Sequence, residues 1–166
     1  MKKTVVCVAA TLLVSACATD RPTPPVNSNP TPVVVAVPNT STVDAQIPGT
    51  PTQLLAAANQ VLVQRGFQIA NANTSAGILS TAPRPVSLTP ADANCGAAGG
   101  VNYLDDKRTT MTLAYDVTAT EGHIHVVAQM NGTYLPGNDV QSIKLNCVSS
   151  GVLEQKLVQQ IEVARQ

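Results

Sequence analysis

Proline placement limits where this chain can fold. Between Ala18 and Gly49 stand Pro22, Pro24, Pro25, Pro30, Pro32, Pro38 and Pro48, among Thr, Asn, Ser and Val. Each proline lacks the amide donor that a helix interior or a central strand needs, and it fixes its own φ. The segment therefore reads as an extended, polyproline-biased, disordered tether, with a reach of roughly 100 Å at about 3.1 Å per residue. A single small domain is then expected over 50–166. Inside the tether, Val33-Val34-Val35-Ala36-Val37 is bounded by Pro32 and Pro38. This run reads either as Val-rich linker or as a strand that docks on a sheet edge, in this protein or in a partner.

The domain opens with Thr50-Pro51-Thr52-Gln53, which supplies an N-cap, a proline at the first helical position and a glutamine at the third. Leu54, Leu55, Ala58, Val61 and Leu62 recur at helical spacing, and Gly66 follows as a stop, so a helix is expected over 51–65. Phe67-Gln68-Ile69 reads as a short strand, residues 71–77 as a polar turn, and Ile78 to Thr81 as the return strand. Pro83, Pro85 and Pro90 mark a long loop running to about Arg108. Met111, Leu113, Tyr115 and Val117 then alternate with polar residues, and so do Ile124, Val126, Ala128 and Met130 after a turn at Thr120-Glu121-Gly122. After a turn at 136–139, Ile143, Leu145 and Cys147 read as a last short strand. Leu153, Leu157, Ile161 and Ala164 share one face of a helix over about 151–165. The fold class is α+β: an antiparallel sheet of about five strands, with an N-terminal and a C-terminal helix packed on one face. Aromatic residues make up only 2% of the chain, with no Trp and one Phe. The core is therefore aliphatic, and a domain of this size is marginally stable.

Residues 1–17 read MKKTVVCVAATLLVSAC. Lys2 and Lys3 form a basic head, and residues 4–14 an apolar stretch too short to span a bilayer as a helix. Val14-Ser15-Ala16-Cys17 resembles the lipobox of bacterial lipoproteins. The resemblance implies a signal peptide at 1–16, cleavage before Cys17, diacylglycerol on the Cys17 thiol and an acylated new N-terminus (a palmitate-type modification). Residues 17–49 then form a lipidated linker. Three acyl chains hold far more firmly than the marginal binding of one. Ala18, where an Asp would signal inner-membrane retention, implies an outer-membrane anchor facing the periplasm, although Asp20 lies close by. On that reading Cys7 leaves with the leader and Cys17 is lipidated. Cys95 and Cys147 remain in an oxidising compartment, where a structural disulfide between them is expected.

Gly66-Phe67-Gln68-Ile69 and Gly77-Ile78-Leu79-Ser80-Thr81, after an N-terminal helix, resemble the opening of helix-grip domains. Such domains occur in the third lipoprotein of the outer-membrane barrel-assembly machinery and in other small envelope lipoproteins. The resemblance covers about thirty residues plus the element order, and it transfers no functional residue.

Candidate chemistry is sparse. His123 and His125 share one strand face and could supply two metal ligands. A metal site needs a third ligand from elsewhere, and a solvated face is the favoured reading. Asp105-Asp106 beside Lys107-Arg108 reads as a solvated charge cluster rather than an acid–base pair. Tyr103 reads as a loop anchor in preference to a partner contact. The sequence contains no phosphate loop, nucleophile elbow or zinc-protease motif. Formal charge is zero, which gives no electrostatic footprint for nucleic acid. The expectation is a non-enzymatic outer-membrane lipoprotein without a cofactor. Its tethered periplasmic module would bind other proteins of an envelope or secretion assembly. The alternative is a carrier or sensor of a small apolar or lipid ligand between helices and sheet.

Overall fold

A computed structural model of the chain describes residues 40–137 and 141–166. In chain order the elements are β1 (Thr40–Gln46), α1 (Pro51–Gln64), β2 (Ile69–Asn73), β3 (Ile78–Thr81), β4 (Arg84–Val86), β5 (Ala93–Asn94), β6 (Ala97–Ala98), β7 (Val101–Asn102), a 3-10 turn (Tyr103–Asp105), β8 (Thr109–Thr120), β9 (His123–Tyr134), β10 (Ile143–Leu145), β11 (Val148–Ser149) and α2 (Val152–Ala164). The fold is α+β, as the sequence predicts.

The capping signals act as they read. Thr50 Oγ1 accepts from the Gln53 amide at 3.3 Å, and Gln53 Oε1 accepts from the Thr50 amide at 3.0 Å. At the other end Gly66 takes φ +79°, the left-handed conformation that a side chain disfavours. Its amide donates to Val63 O and the Phe67 amide to Leu62 O, which closes a Schellman motif. That closure uses Phe67 as part of the helix stop. The strand expected at 67–69 therefore begins only at Ile69 and extends to Asn73.

One antiparallel sheet dominates, in the order β1-β9-β8-β3-β2. β10 continues along β9 beyond β1, and β4 along β8 beyond β3, which makes seven strands. The long β8/β9 hairpin runs in unbroken register from Thr109↔Tyr134 to Thr120↔His123. Alternation sends Met111, Leu113, Tyr115, Val117 and Ala119 to one face, joined by Ile124, Val126, Ala128 and Met130. All of these are at most 5% exposed. Both helices cover that face, α1 with Leu54, Leu55, Ala58 and Leu62, α2 with Leu157 and Ile161. Phe67 meets Tyr115 edge-on, ring centroids 5.2 Å apart. These side chains form the centre of the layer between helices and sheet, and a gap of about 190 Å³ lies between α1 and β2/β3, lined by Leu55, Ala56, Ala72 and Leu79.

One boundary differs from the sequence reading. The tether was expected to run through Gly49, yet Thr40–Gln46 forms the sheet's edge strand, in register with β9 from Thr40↔Gln129 to Gln46↔His123. Ser41, Val43 and Ala45 turn toward the helices, and Ile47 is buried at 1% exposure. Burial of alternate small side chains, together with a ladder to a long central strand, outweighs the local proline signal at Pro48.

Candidate interaction surface

Two of the sequence-derived sites, Cys17 and the run Val33, Val34, Val35, Ala36, Val37, lie outside the described residues. The third is present: Cys95 and Cys147 are joined across a separation of 52 residues, 5% and 0% exposed. Cys95 follows β5 and Cys147 precedes β11, and those two strands pair through Val148↔Asn94 and Ser149↔Ala93. The bond therefore pins the proline- and glycine-rich loop to the segment leading into α2. By chain entropy a closed loop of this size stabilises by about 4 kcal/mol.

The face of the sheet away from the helices carries polar residues. Thr110, Thr112, Asp116, Thr118 and Thr120 of β8 alternate with the core positions, as do His123, His125, Gln129 and Asn131 of β9. β1 adds Thr42, Asp44 and Gln46, in register with Val127, His125 and His123. Asp44 Oδ1 lies 2.6 Å from His125 Nδ1, and the Asp44 side chain remains 78% exposed. His125 is thus engaged by a carboxylate from the edge strand. Among the described residues no group of three or more His, Cys, Asp and Glu could hold a metal ion. Asp116 accepts from the Gln129 amide group across the hairpin. β1, β8 and β9 contain no Lys or Arg.

The two sheet edges differ. At one end β2 carries a register break between Ile69 and Asn71, and such irregularity blunts an edge against pairing. At the other, β1 runs without a break against β9, and no strand pairs with its outer side among the described residues. Its single charge is Asp44.

A second cluster sits at the loop end. Arg108 grips Asp106 through Nε at 3.0 Å and Nη2 at 2.6 Å, and Nη1 donates to Pro136 O at 2.8 Å. The side-chain and backbone hydrogen bonds from Arg108 hold the Asp106 carboxyl well below the usual carboxylate range. The guanidinium lies 5.0 Å from the Tyr134 ring centroid, and Tyr134 packs 4.8 Å from Tyr103. Tyr103 is therefore packed as an anchor, and the Asp106–Arg108 pair is structural. A cleft of about 420 Å³ opens beside it, bounded by Val86, Leu88, Leu104, Asp105, Lys107 and Thr110.

Sequence reasoning missed two polar groups. Asp44 was assigned to the tether. The available signal was the alternation Ser41, Val43, Ala45, Ile47 against Thr42, Asp44, Gln46. Glu154 is fully buried on the apolar face of α2, at helical spacing with Leu157, Val158 and Ile161. Its Oε2 accepts from Ser149 Oγ at 2.8 Å, and Ser149 Oγ accepts from the Gly151 amide at 3.1 Å. Gly151, the N-cap, has no side chain to offer, so the Ser149 hydroxyl links the Glu154 carboxylate at N3 to the N-cap amide, one half of a capping box.

Comparison with known proteins adds little to this geometry. No family model and no curated protein matches the chain. Among solved structures, it is similar to a DUF4468 family protein from Bacteroides ovatus at 15% identity and a TM-score of 0.43, over 65% of this chain and 62% of that one. It is also similar to a TBP-like protein from Parabacteroides distasonis at 13% identity and a TM-score of 0.48, over 76% of this chain and 92% of that one. The first match spans less than two thirds of that protein.

Proposed function

We propose that the chain is an outer-membrane lipoprotein, anchored through Cys17, whose periplasmic domain is a non-enzymatic module that binds other proteins of an envelope or secretion assembly. The observation that carries the binding part is the asymmetry of the sheet. One face is covered by two helices, while among the described residues no strand or helix pairs with the outer side of the unbroken edge strand β1 or covers the polar second face. An edge strand with open backbone groups is a template for pairing with another chain. The lipobox-like run at Val14–Cys17 supports the anchor, and the run Val33–Val37, seven residues upstream of β1 at its start, supplies a candidate second contact. Two linked contacts strengthen each other through effective concentration.

Photocrosslinking in cells tests the module reading. A photoreactive residue is placed in turn at Thr42, at Gln129 and at Gln160, the last on the helix layer. The expected result is a defined adduct with an envelope protein at Thr42 or Gln129 that is lost in the Cys17→Ala chain. Adducts at none of the three positions, in cells that make the wild-type level of protein, contradict the reading.

A further inference from the structure

We infer that β1 receives an extended segment of a partner protein as an added strand, with a Lys or Arg of that segment set against Asp44. The inference rests on the protein-binding reading above and identifies the surface and the chemistry of the partner.

Three observations lead to it. The first is the contrast between edges: β2 is interrupted between Ile69 and Asn71, whereas β1 keeps register with β9 over all seven of its residues. Proteins guard unpaired edges with bulges, prolines or charged side chains, lysine above all. β1 has no bulge, proline or lysine, and its one charge, Asp44, repels an acidic strand and favours a basic one. The second is charge. Asp44 is the single charged residue of β1, and Asp116 is the other carboxylate on the central strands β8 and β9, which hold no Lys or Arg. The strand-borne lysine on this side of the sheet, Lys144 of β10, is in register with Thr133, beyond the end of β1. A strand laid along β1 therefore meets a carboxylate whose one close partner is the His125 ring. Asp44 spends one oxygen on His125 and keeps its side chain 78% exposed, so it can accept from a second donor across the new ladder. The third is the opposite face of β1. Val43 and Ala45 are partly buried against the core, so an added strand finds small apolar neighbours at alternate positions there. The occupant that fits is a strand with β-branched residues at alternate positions and a cation on the polar face.

A second copy of this chain is a poorer occupant. Antiparallel pairing of two β1 strands centred on Val43 places Thr42 opposite Asp44, which leaves both carboxylates without a cationic partner.

The test uses the domain with its linker and a blocked peptide, acetyl-Val-Thr-Val-Lys-Val-Thr-Val-amide, which sets its valines on one face and its lysine on the other, beside its Lys-to-Glu counterpart. Amide shifts are followed by NMR during titration. The expected result is perturbation confined to β1 and the adjoining part of β9, with the Lys peptide binding about two- to five-fold more tightly than the Glu peptide. Asp44→Asn should remove that preference and Asp44→Lys should reverse it. Shifts that map to β2 or the helices, an unchanged preference in both Asp44 variants, or concentration-dependent dimerisation through β1 without peptide would each overturn the inference. These failures differ from failure of the module reading, which shows in cells as absence of any adduct at any position.

Discussion

Removing the Thr81 hydroxyl would isolate one hydrogen bond in an otherwise apolar layer. The β3 ladder to β8 ends at Ser80↔Asp116, and β4 takes over only at Leu113. In the gap the Tyr115 amide has no strand backbone opposite it, and Thr81 Oγ1 accepts from it at 2.8 Å. Thr81→Val keeps the shape and leaves that buried donor unpaired. Urea unfolding should show a loss of about 1–3 kcal/mol, with Thr81→Ser retaining most of it. Tyr115 itself offers a second readout. Burial pushes its hydroxyl pKa up, although the Arg65 cation nearby opposes the rise. A raised folded-state value means that the native state resists ionisation while the unfolded chain ionises near pH 10. Stability from this group is intact below about pH 10 and falls as pH rises beyond it. Tyr115→Phe should flatten that alkaline decline without removing it, because burial also raises Tyr134.

At the scale of elements, legibility followed the strength of the local signal. The Thr50–Gln53 capping box, the Gly66 stop and the alternation through 111–130 each satisfy a local rule, and each element stands where that rule places it. Two segments carried a weaker local signal. β1 pairs with a strand some eighty residues away and has Ser41 and Ala45 at inward positions, so its alternation is faint and its neighbours Pro38 and Pro48 mask it. The loop over 83–108 holds β4 to β7, pieces of two or three residues: β4 and β5 owe their order to the distant partners β8 and β11, while β6 and β7 pair with each other across Gly99-Gly100. The Cys95–Cys147 pair was legible by counting thiols, and it organises that loop. Cys147→Ser should lower unfolding free energy by about 4 kcal/mol in reversible denaturation, and wild type in reductant should fall to the same value. Equal stability of wild type with and without reductant would show that the β5–β11 pairing holds the loop alone. Of the candidate interaction surface, the polar faces of β8 and β9 could be read from alternation. The outward face of Asp44 was readable from the alternation over 41–47, but its role was not, because that depends on an edge position that only the sheet order reveals.

As proposed, the whole molecule joins an anchor, a linker and a module whose first strand follows the linker. Five residues lie between Asp44 and the helix cap at Thr50, so β1 leads directly into α1. The most direct test is the intact mass of the protein extracted from outer membranes. The predicted result is a chain that begins at Cys17, heavier than its polypeptide by a diacylglycerol and an amide-linked acyl group, with the Cys95–Cys147 bond intact. A chain that starts elsewhere, or that starts at Cys17 with an unmodified thiol, would contradict the account.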